Sequence, residues 1–209
     1  MKYLNTEDWN RKEHFDFFRT FEEPFFGVVV DVDVTPTYEW CKDTKTSFFG
    51  TYLHKCLIAA NGIENFRYRI DDKDQVEIYD QLDASATISR ADNTFGFSYI
   101  RFEDRLVAFL KNVESEVDRV QKSRSLFPPV DELGCIYFSS LPWLSFSSLS
   151  HARKFSIGDT VPKISFGQLY AKDERKWMPI SIHVHHALMD GYHVGQFVEK
   201  YQDLLSHCL

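Results

Sequence analysis

The chain has 209 residues, a formal net charge of −7 and 16% aromatic residues, 19 of them phenylalanine. This length suits one domain with a full core, so we treat residues 1–209 as a single domain. The acidic balance and the lack of a long basic run exclude a general nucleic-acid binder. Without an apolar leader or a run of 18 apolar residues, the sequence predicts neither export nor a membrane span.

Four cysteines occur, and no two of them have the close spacing of a metal-binding motif. We interpret them as reduced thiols, because disulfides are rare in the reducing interior of the cell. This usage predicts a cytoplasmic protein. The four residues are Cys41, Cys56, Cys135 and Cys208.

Strands and helices are both predicted, from apolar periods of two and of three to four residues. The first half predicts a helix over 9–20 capped by Thr6 or Asp8, a strand over 25–34, a helix over 48–60, and strands over 66–70, 75–79, 84–89 and 95–102. The second half predicts a helix over 103–121, strands over 134–140, 161–170 and 178–186, and a helix over 192–207. This mixture predicts one α+β domain with a mixed sheet.

The stretch 178–193 combines the end of a strand, a short loop and the start of the last helix. Apolar and polar residues alternate up to His186, and Asp190-Gly191 then supplies a turn. Side chains in such a loop project into a cleft. Four histidines lie within eleven residues here, namely His183, His185, His186 and His193.

Several interpretations of these histidines are open from the residues alone. A zinc site is disfavoured, because His186 faces away from the other strand histidines and no thiolate completes a ligand set. Core or surface histidines with satisfied hydrogen bonds are the ordinary alternative. A general base is the third, since imidazole suits proton transfer near neutral pH. Asp190 would then either orient the base or form a buried ion pair, and Ser148 would donate to an oxyanion or be a solvated turn residue.

The motif His185-His186-Ala-Leu-Met-Asp190-Gly191 resembles the HHxxxDG motif of CoA-dependent acyltransferases. Three more segments resemble the classical trimeric chloramphenicol acetyltransferases. Segment 9–15 is similar to their W-x-R-K-E-H-F, segment 141–148 to their P-W-V-x-F-x-S-F, and segment 190–194 to their D-G-F-H-V. The segments occur in the family's order and cover the chain from end to end.

This resemblance implies a two-layer α/β sandwich with a mixed sheet, assembled as a homotrimer with active sites at the subunit interfaces. It implies acetyl-CoA as co-substrate, no metal, and chloramphenicol as the expected acceptor. His186 would be the general base that takes the proton of the acceptor hydroxyl, its tautomer set by its own backbone carbonyl. Ser148 would bind the oxyanion, and Asp190 would pair with Arg11 to hold the loop.

The resemblance also implies two binding sites. The acceptor pocket is expected to contain Phe25, Phe26, Val28, Thr94, Phe95 and Phe127. The coenzyme site is expected to contain Ser165, Leu169 and Tyr170. Met189 stands where the family often has cysteine, and Leu149 where it often has phenylalanine.

Two rival functions stay open. The first is the same acetyl transfer to a different hydroxyl or amine acceptor, because an apolar pocket discriminates weakly by shape. The second is a non-catalytic trimeric binding module. The joint presence of His186, Ser148, Asp190 and Arg11 speaks against this second function.

Overall fold

The computed structural model describes residues 2–129, 134–153 and 158–207. The helices are α1 (Lys12–Phe18), α2 (Thr35–Thr44), α3 (Phe48–Asn61), α4 (Leu106–Lys122) and α5 (Gly191–Ser206). The strands are β1 (Lys2–Tyr3), β2 (Phe25–Asp33), β3 (Tyr68–Ile70), β4 (Val76–Ile78), β5 (Asp83–Ser89), β6 (Phe95–Phe97), β7 (Cys135–Ser140), β8 (Lys163–Phe166), β9 (Tyr170–Lys172) and β10 (Arg175–His185).

Within the described ranges, the main sheet has seven strands in the order β2-β10-β8-β7-β5-β6, with β9 also pairing β10. The pairs β5–β7 and β7–β8 are parallel, whereas β10 is antiparallel to β2 and β8. A small sheet of β1, β4 and β3 lies beside it. The mixed sheet confirms the predicted fold class.

The two faces of the main sheet differ in polarity, because successive strand residues point to opposite sides. On one face, Ile180, Ile182 and Val184 of β10 are fully buried in a cluster with residues of α3, α4 and α5. The opposite face is polar and carries Ser181 and Lys163, which are also buried. A buried polar face suits a binding site better than a core.

Two predicted boundaries and one missing element need correction. The first helix starts at Lys12, because residues 9–11 form a turn, and neither Thr6 nor Asp8 caps it. Helix α2 was not predicted, although Pro36 in its first turn is a typical start signal. The predicted strand over 95–102 ends at Phe97, whose amide donates to the Leu126 carbonyl at 2.8 Å.

The predicted strand over 161–170 divides into β8 and β9. At the break, the amide of Gln168 donates to the carbonyl of Leu144 at 2.8 Å instead of extending the ladder. Gly167 permits this close approach, since a Cβ there would lie 2.6 Å from Cγ of Pro179 and 2.9 Å from the Phe146 ring. The strand therefore ends where the loop after β7 packs against it.

Cys41, Cys56 and Cys135 are buried, and Cys208 lies outside the described residues. Among the described helices, none has the length and apolar character needed to cross a bilayer.

Candidate active site

His186 follows β10 directly, and backbone hydrogen bonds fix it from two sides. Its amide donates to the carbonyl of Pro24 at 2.8 Å, which extends the pairing of β10 with β2 by one step. Its carbonyl accepts from Nη2 of Arg11 at 3.2 Å. The chain that precedes β2 and the start of α1 thus hold the same residue.

The His186 ring lies between two phenylalanines and is half-buried. It stacks on Phe18 of α1 at a centroid distance of 3.9 Å and an interplanar angle of 7°. Phe26 of β2 contacts the ring at 4.6 Å and 48°. Nδ1 is buried and has no hydrogen-bond partner within the described ranges. The aromatic contacts therefore restrict the orientation of the imidazole.

Arg11 and Asp190 form an ion pair behind the His186 loop. Nη1 of Arg11, a residue 7% exposed, donates to Oδ2 of Asp190. Oδ1 of Asp190 accepts from the Tyr192 amide at 3.0 Å and lies 2.9 Å from Nδ1 of His193, so it also caps α5. Partial burial alone would raise the pKa of Asp190, but the Arg11 charge outweighs it and the pKa is lowered. Asp190 thus contacts Arg11 and not the His186 ring.

The other histidines have partners of their own. His185 is 5% exposed, burial lowers its pKa to about 4, and its Nδ1 accepts from the Ala187 amide at 3.3 Å. His183 lies 3.1 Å from the Ser181 hydroxyl and contacts the His151 ring at 4.8 Å. In the described part of the chain, no group of three or more His, Cys, Asp or Glu residues is placed to hold a metal.

A cavity of about 990 Å³ opens on the polar face of the sheet. Residues of β5, β7 and β8 line it. Three phenylalanines lie at its edge, namely Phe95 and Phe97 of β6 and Phe127 after α4. His151 also lines it and, through its ring contact, connects it to His183 of β10. His186 is not among the described residues that line this cavity.

A family model described as chloramphenicol acetyltransferase matches residues 1–202 of this chain. The chain belongs to the chloramphenicol acetyltransferase family. A relative of that name from Bacillus pumilus is 29% identical over 205 residues, which are 97% of this chain and 92% of the relative. Another, from Campylobacter coli, is 28% identical over 208 residues and covers 97% of both chains. The predicted family and the predicted enzyme class, an acetyltransferase, are confirmed.

Solved structures agree with this family membership. A chloramphenicol acetyltransferase of 29% sequence identity superposes with a TM-score of 0.90 and covers 98% of this chain and 99% of its own. A dihydrolipoamide acetyltransferase from Azotobacter vinelandii superposes at 0.72 with 13% identity, covering 88% and 82%. The second likeness shows that the fold is shared.

The predicted oxyanion donor of this family member lies outside the strands and helices that hold His186. Ser148 is exposed in the loop that follows β7. No hydrogen bond of its hydroxyl occurs within the described part of the single chain. That Ser148 and His186 share one site stays a prediction.

The six predicted acceptor residues occupy different surroundings. Phe95 and Phe127 line the cavity of about 990 Å³, and the Phe25 ring lies 4.5 Å from Nζ of Lys163, which also lines it. Phe26 instead contacts His186. Val28 packs against the core. The hydroxyl of Thr94 donates to Oδ1 of Asp92 at 2.7 Å.

The predicted coenzyme residues are also divided between the two faces of the sheet. Leu169 lines a smaller cavity of about 420 Å³ beside α3. Ser165 is 1% exposed on the polar face, opposite Ser181 of β10, and its hydroxyl has no hydrogen-bond partner within the described ranges. Tyr170 is half-buried in β9.

Sequence reasoning missed the residues that position the base. Neither Phe18 nor Pro24 was assigned to the site, although both contact His186. Arg69 and Lys163, the buried cations of the large cavity, were not singled out. Arg69 and Lys163 each lie in a predicted strand among apolar residues, and a charged residue in such a pattern indicates a buried charge.

Proposed function

We propose that this family member transfers the acetyl group of acetyl-CoA to a hydroxyl of chloramphenicol. The observation that carries the proposal is the fixed imidazole of His186, stacked on Phe18 and anchored through its backbone to Arg11 and Pro24. A general base must be held in one orientation to act on a bound hydroxyl. Family membership supplies the acetyl donor and the acceptor class.

In the proposed mechanism, Nδ1 of His186 carries the ring hydrogen and Nε2 accepts the proton of the acceptor hydroxyl. The resulting oxygen forms a bond to the thioester carbonyl carbon, and the carbonyl oxygen becomes an oxyanion. When the oxyanion collapses, the C–S bond breaks, and the coenzyme thiolate takes the proton from Nε2. The base is therefore restored at the end of each turnover.

Ser148 is the proposed hydrogen-bond donor to the oxyanion. Its exposed loop lets the hydroxyl meet a site formed with another subunit. We therefore propose a homotrimer in which His186 of one subunit faces the cavity and Ser148 of the next. Exposed aromatic residues support such a contact, because large apolar patches mark interaction surfaces. They are Phe17, Phe21 and Trp143.

The remaining predictions accompany this function as proposals. Residues 1–209 would form one catalytic domain that works in the cytoplasm with no metal. Ser165, Leu169 and Tyr170 remain the proposed coenzyme contacts.

The test is the release of coenzyme thiol from acetyl-CoA, measured with and without chloramphenicol. Wild type should release thiol only with the acceptor, and His186→Ala should reduce turnover by about a thousandfold or more. His14→Ala, at an exposed position on α1, is the matched histidine control and should retain wild-type turnover. Activity of His186→Ala within tenfold of wild type would show that another group is the base.

The same assay separates the rival functions. Release with another hydroxyl or amine acceptor, but none with chloramphenicol, would retain the enzyme class and reject the drug as substrate. No release with any acceptor, from a correctly assembled protein, would favour the non-catalytic binding module.

A further inference from the structure

The cavity of about 990 Å³ has a polar floor and an aromatic edge. Ser85, Tyr137 and Lys163 are in register across β5, β7 and β8 and form part of the floor. At the edge, Phe95 and Phe127 are 47% and 62% exposed, and both contact the ring of Phe97. The cavity therefore offers an aromatic surface above buried polar groups.

Arg69 lines this cavity and is a buried cation whose hydrogen-bond partners among the described residues are neutral. Its exposure is 6%, and its guanidinium donates to the carbonyls of Phe66, Tyr68 and Cys135 at 2.8, 2.6 and 2.5 Å. Nε is buried and has no partner within the described ranges. Among the described residues no carboxylate forms an ion pair with Arg69, and the charge of Asp159 acts on it only from a distance.

The second buried cation, Lys163, already has a counter-charge. Its Nζ lies 2.6 Å from Oδ2 of Asp159 and 3.0 Å from the Val161 carbonyl. Nζ also lies 4.5 Å from the Phe25 ring centroid and 5.4 Å from that of Tyr137. The Lys163–Asp159 pair is therefore neutral overall, and the charge of Arg69 is not balanced by it.

Two further carboxylates line the cavity but are directed to other donors. Asp71 accepts from the amides of Lys73 and Gln75 at 2.9 and 2.8 Å. Glu77 accepts from the hydroxyls of Tyr3 and Tyr79 at 3.4 and 3.3 Å. Arg153, which also lines the cavity, pairs with Glu23. Arg69 thus remains the buried cation without a carboxylate beside it in the described structure.

Burying a charge without a counter-ion is costly, and a ligand that supplies the opposite charge recovers part of that cost. Burial lowers the pKa of Arg69 to about 10, so the guanidinium stays charged at neutral pH. An acidic group would also form charge-assisted hydrogen bonds with it. Phe95 and Phe127 at the edge of the cavity can pack against an aromatic ring of the same ligand.

We propose that the acceptor preferred by this enzyme carries a carboxylate, which binds beside Arg69 and Lys163 while its aromatic body packs on Phe95 and Phe127. The proposal rests on the proposed function only in taking this cavity as the acceptor site. Chloramphenicol, which has no carboxylate, would then be a weaker acceptor than an aromatic alcohol that bears an acid.

Calorimetric titration of the intact protein with 4-propylbenzoate and with its methyl ester tests the preference without requiring turnover. The acid should bind about tenfold more tightly or better, because the ester keeps the body but loses the charge. Equal binding of the two, or tighter binding of the ester, would overturn the proposal.

Arg69→Met should remove this preference, and Lys163→Met should reduce it. Arg67→Met is the matched control, since Arg67 also donates to a carbonyl, that of Tyr79 at 2.9 Å, but does not line the cavity. The control should keep the full preference. A folded Arg69→Met variant that keeps it as well would refute the role of Arg69, and if that variant does not fold, Lys163→Met and the wild-type titration decide.

Thiol release distinguishes this proposal from the proposed function. Turnover of chloramphenicol without a preference for the acid would overturn only the carboxylate proposal. Tight binding of the acid with no thiol release from any acceptor would overturn only the proposed function.

Discussion

At the scale of single residues, Asp190 joins the loop of His186 to two helices. Its carboxylate holds Arg11 at the start of α1 and accepts the Tyr192 amide at the start of α5. The same guanidinium then reaches the carbonyl of His186 at 3.2 Å. The acid therefore positions the proposed base through Arg11, without touching the imidazole.

Asp190→Asn isolates the charge in this arrangement, because asparagine caps a helix about as well as aspartate. We expect the free energy of unfolding to fall by about 1–3 kcal/mol at pH 7, since Arg11 is left buried without its counter-charge. Urea denaturation measures the change. Asp203→Asn, which alters an exposed carboxylate on the same helix, is the control and should have almost no effect.

The lowered pKa of Asp190 also sets the sign of a pH dependence. As pH falls, the unfolded chain takes up the proton first, near the ordinary pKa of about 3.9. The stabilisation by the ion pair is therefore complete above that pH and is lost as pH falls through the folded pKa. The stability gap between wild type and Asp190→Asn should shrink in strong acid, and a gap that stays constant on acidification would contradict the ion-pair role.

At the scale of elements, the helices on the apolar face of the sheet are joined by a buried lysine. Lys55 of α3 is 2% exposed, and its Nζ donates to the carbonyls of Leu204 and His207 at 2.7 and 2.8 Å and to the Thr37 hydroxyl at 2.9 Å. Lys55 thus binds carbonyls at the end of α5, which helix hydrogen bonds leave unsatisfied.

Lys55→Met should destabilise the fold by about 1–3 kcal/mol, because buried acceptors lose their donor. Thermal unfolding measures the loss, and turnover per folded molecule should stay the same. Lys42→Met, at an exposed position on α2, is the matched control. Equal melting temperatures for the two variants would refute the capping role of Lys55.

The edge strand β2 depends on a glycine that lies beside a histidine ring. A Cβ at Gly27 would lie 2.4 Å from Nε2 of His183, its partner in register on β10. Gly27→Ala should therefore cost about 1–3 kcal/mol through overpacking. Gly195→Ala in α5, where nothing lies within 4 Å, should instead add about 0.5–1 kcal/mol. Chemical denaturation of both variants checks the opposite signs.

At the scale of the whole molecule, the parts of the proposed site come from segments that are distant in the sequence. The His186 ring lies between α1 and β2, whereas Ser148 is exposed on the loop after β7. A closed trimer would place one subunit's base against its neighbour's loop, because a cyclic assembly repeats the same contact three times. Light scattering should then give three times the 24.5 kDa chain mass.

Mixed trimers test whether the site is shared between subunits. His186→Ala and Ser148→Ala should each be nearly inactive alone. Random co-assembly in equal amounts should restore about a quarter of the wild-type sites, since one interface in four combines both intact residues. Co-refolding followed by the thiol-release assay measures this. No recovery from properly mixed trimers would place both residues of a site on the same chain.

The sequence by itself determined the family, the mixed sheet and the identity of the candidate base. Its information lies in local order, since the alternation that ends at His186 and the Asp190-Gly191 turn are readable within a few residues. The pairing of Arg11 with Asp190 came from the family resemblance, because 179 positions separate the two residues.

Only the tertiary structure decided what surrounds these residues. The stacking of Phe18 on His186 and the end of β8 where the loop packs against it depend on contacts between distant segments. That no carboxylate of the described residues pairs with Arg69 likewise depends on which carboxylates the fold brings near it and which it directs elsewhere. Burial and counter-charge are properties of the folded chain, so no local pattern of residues could specify them.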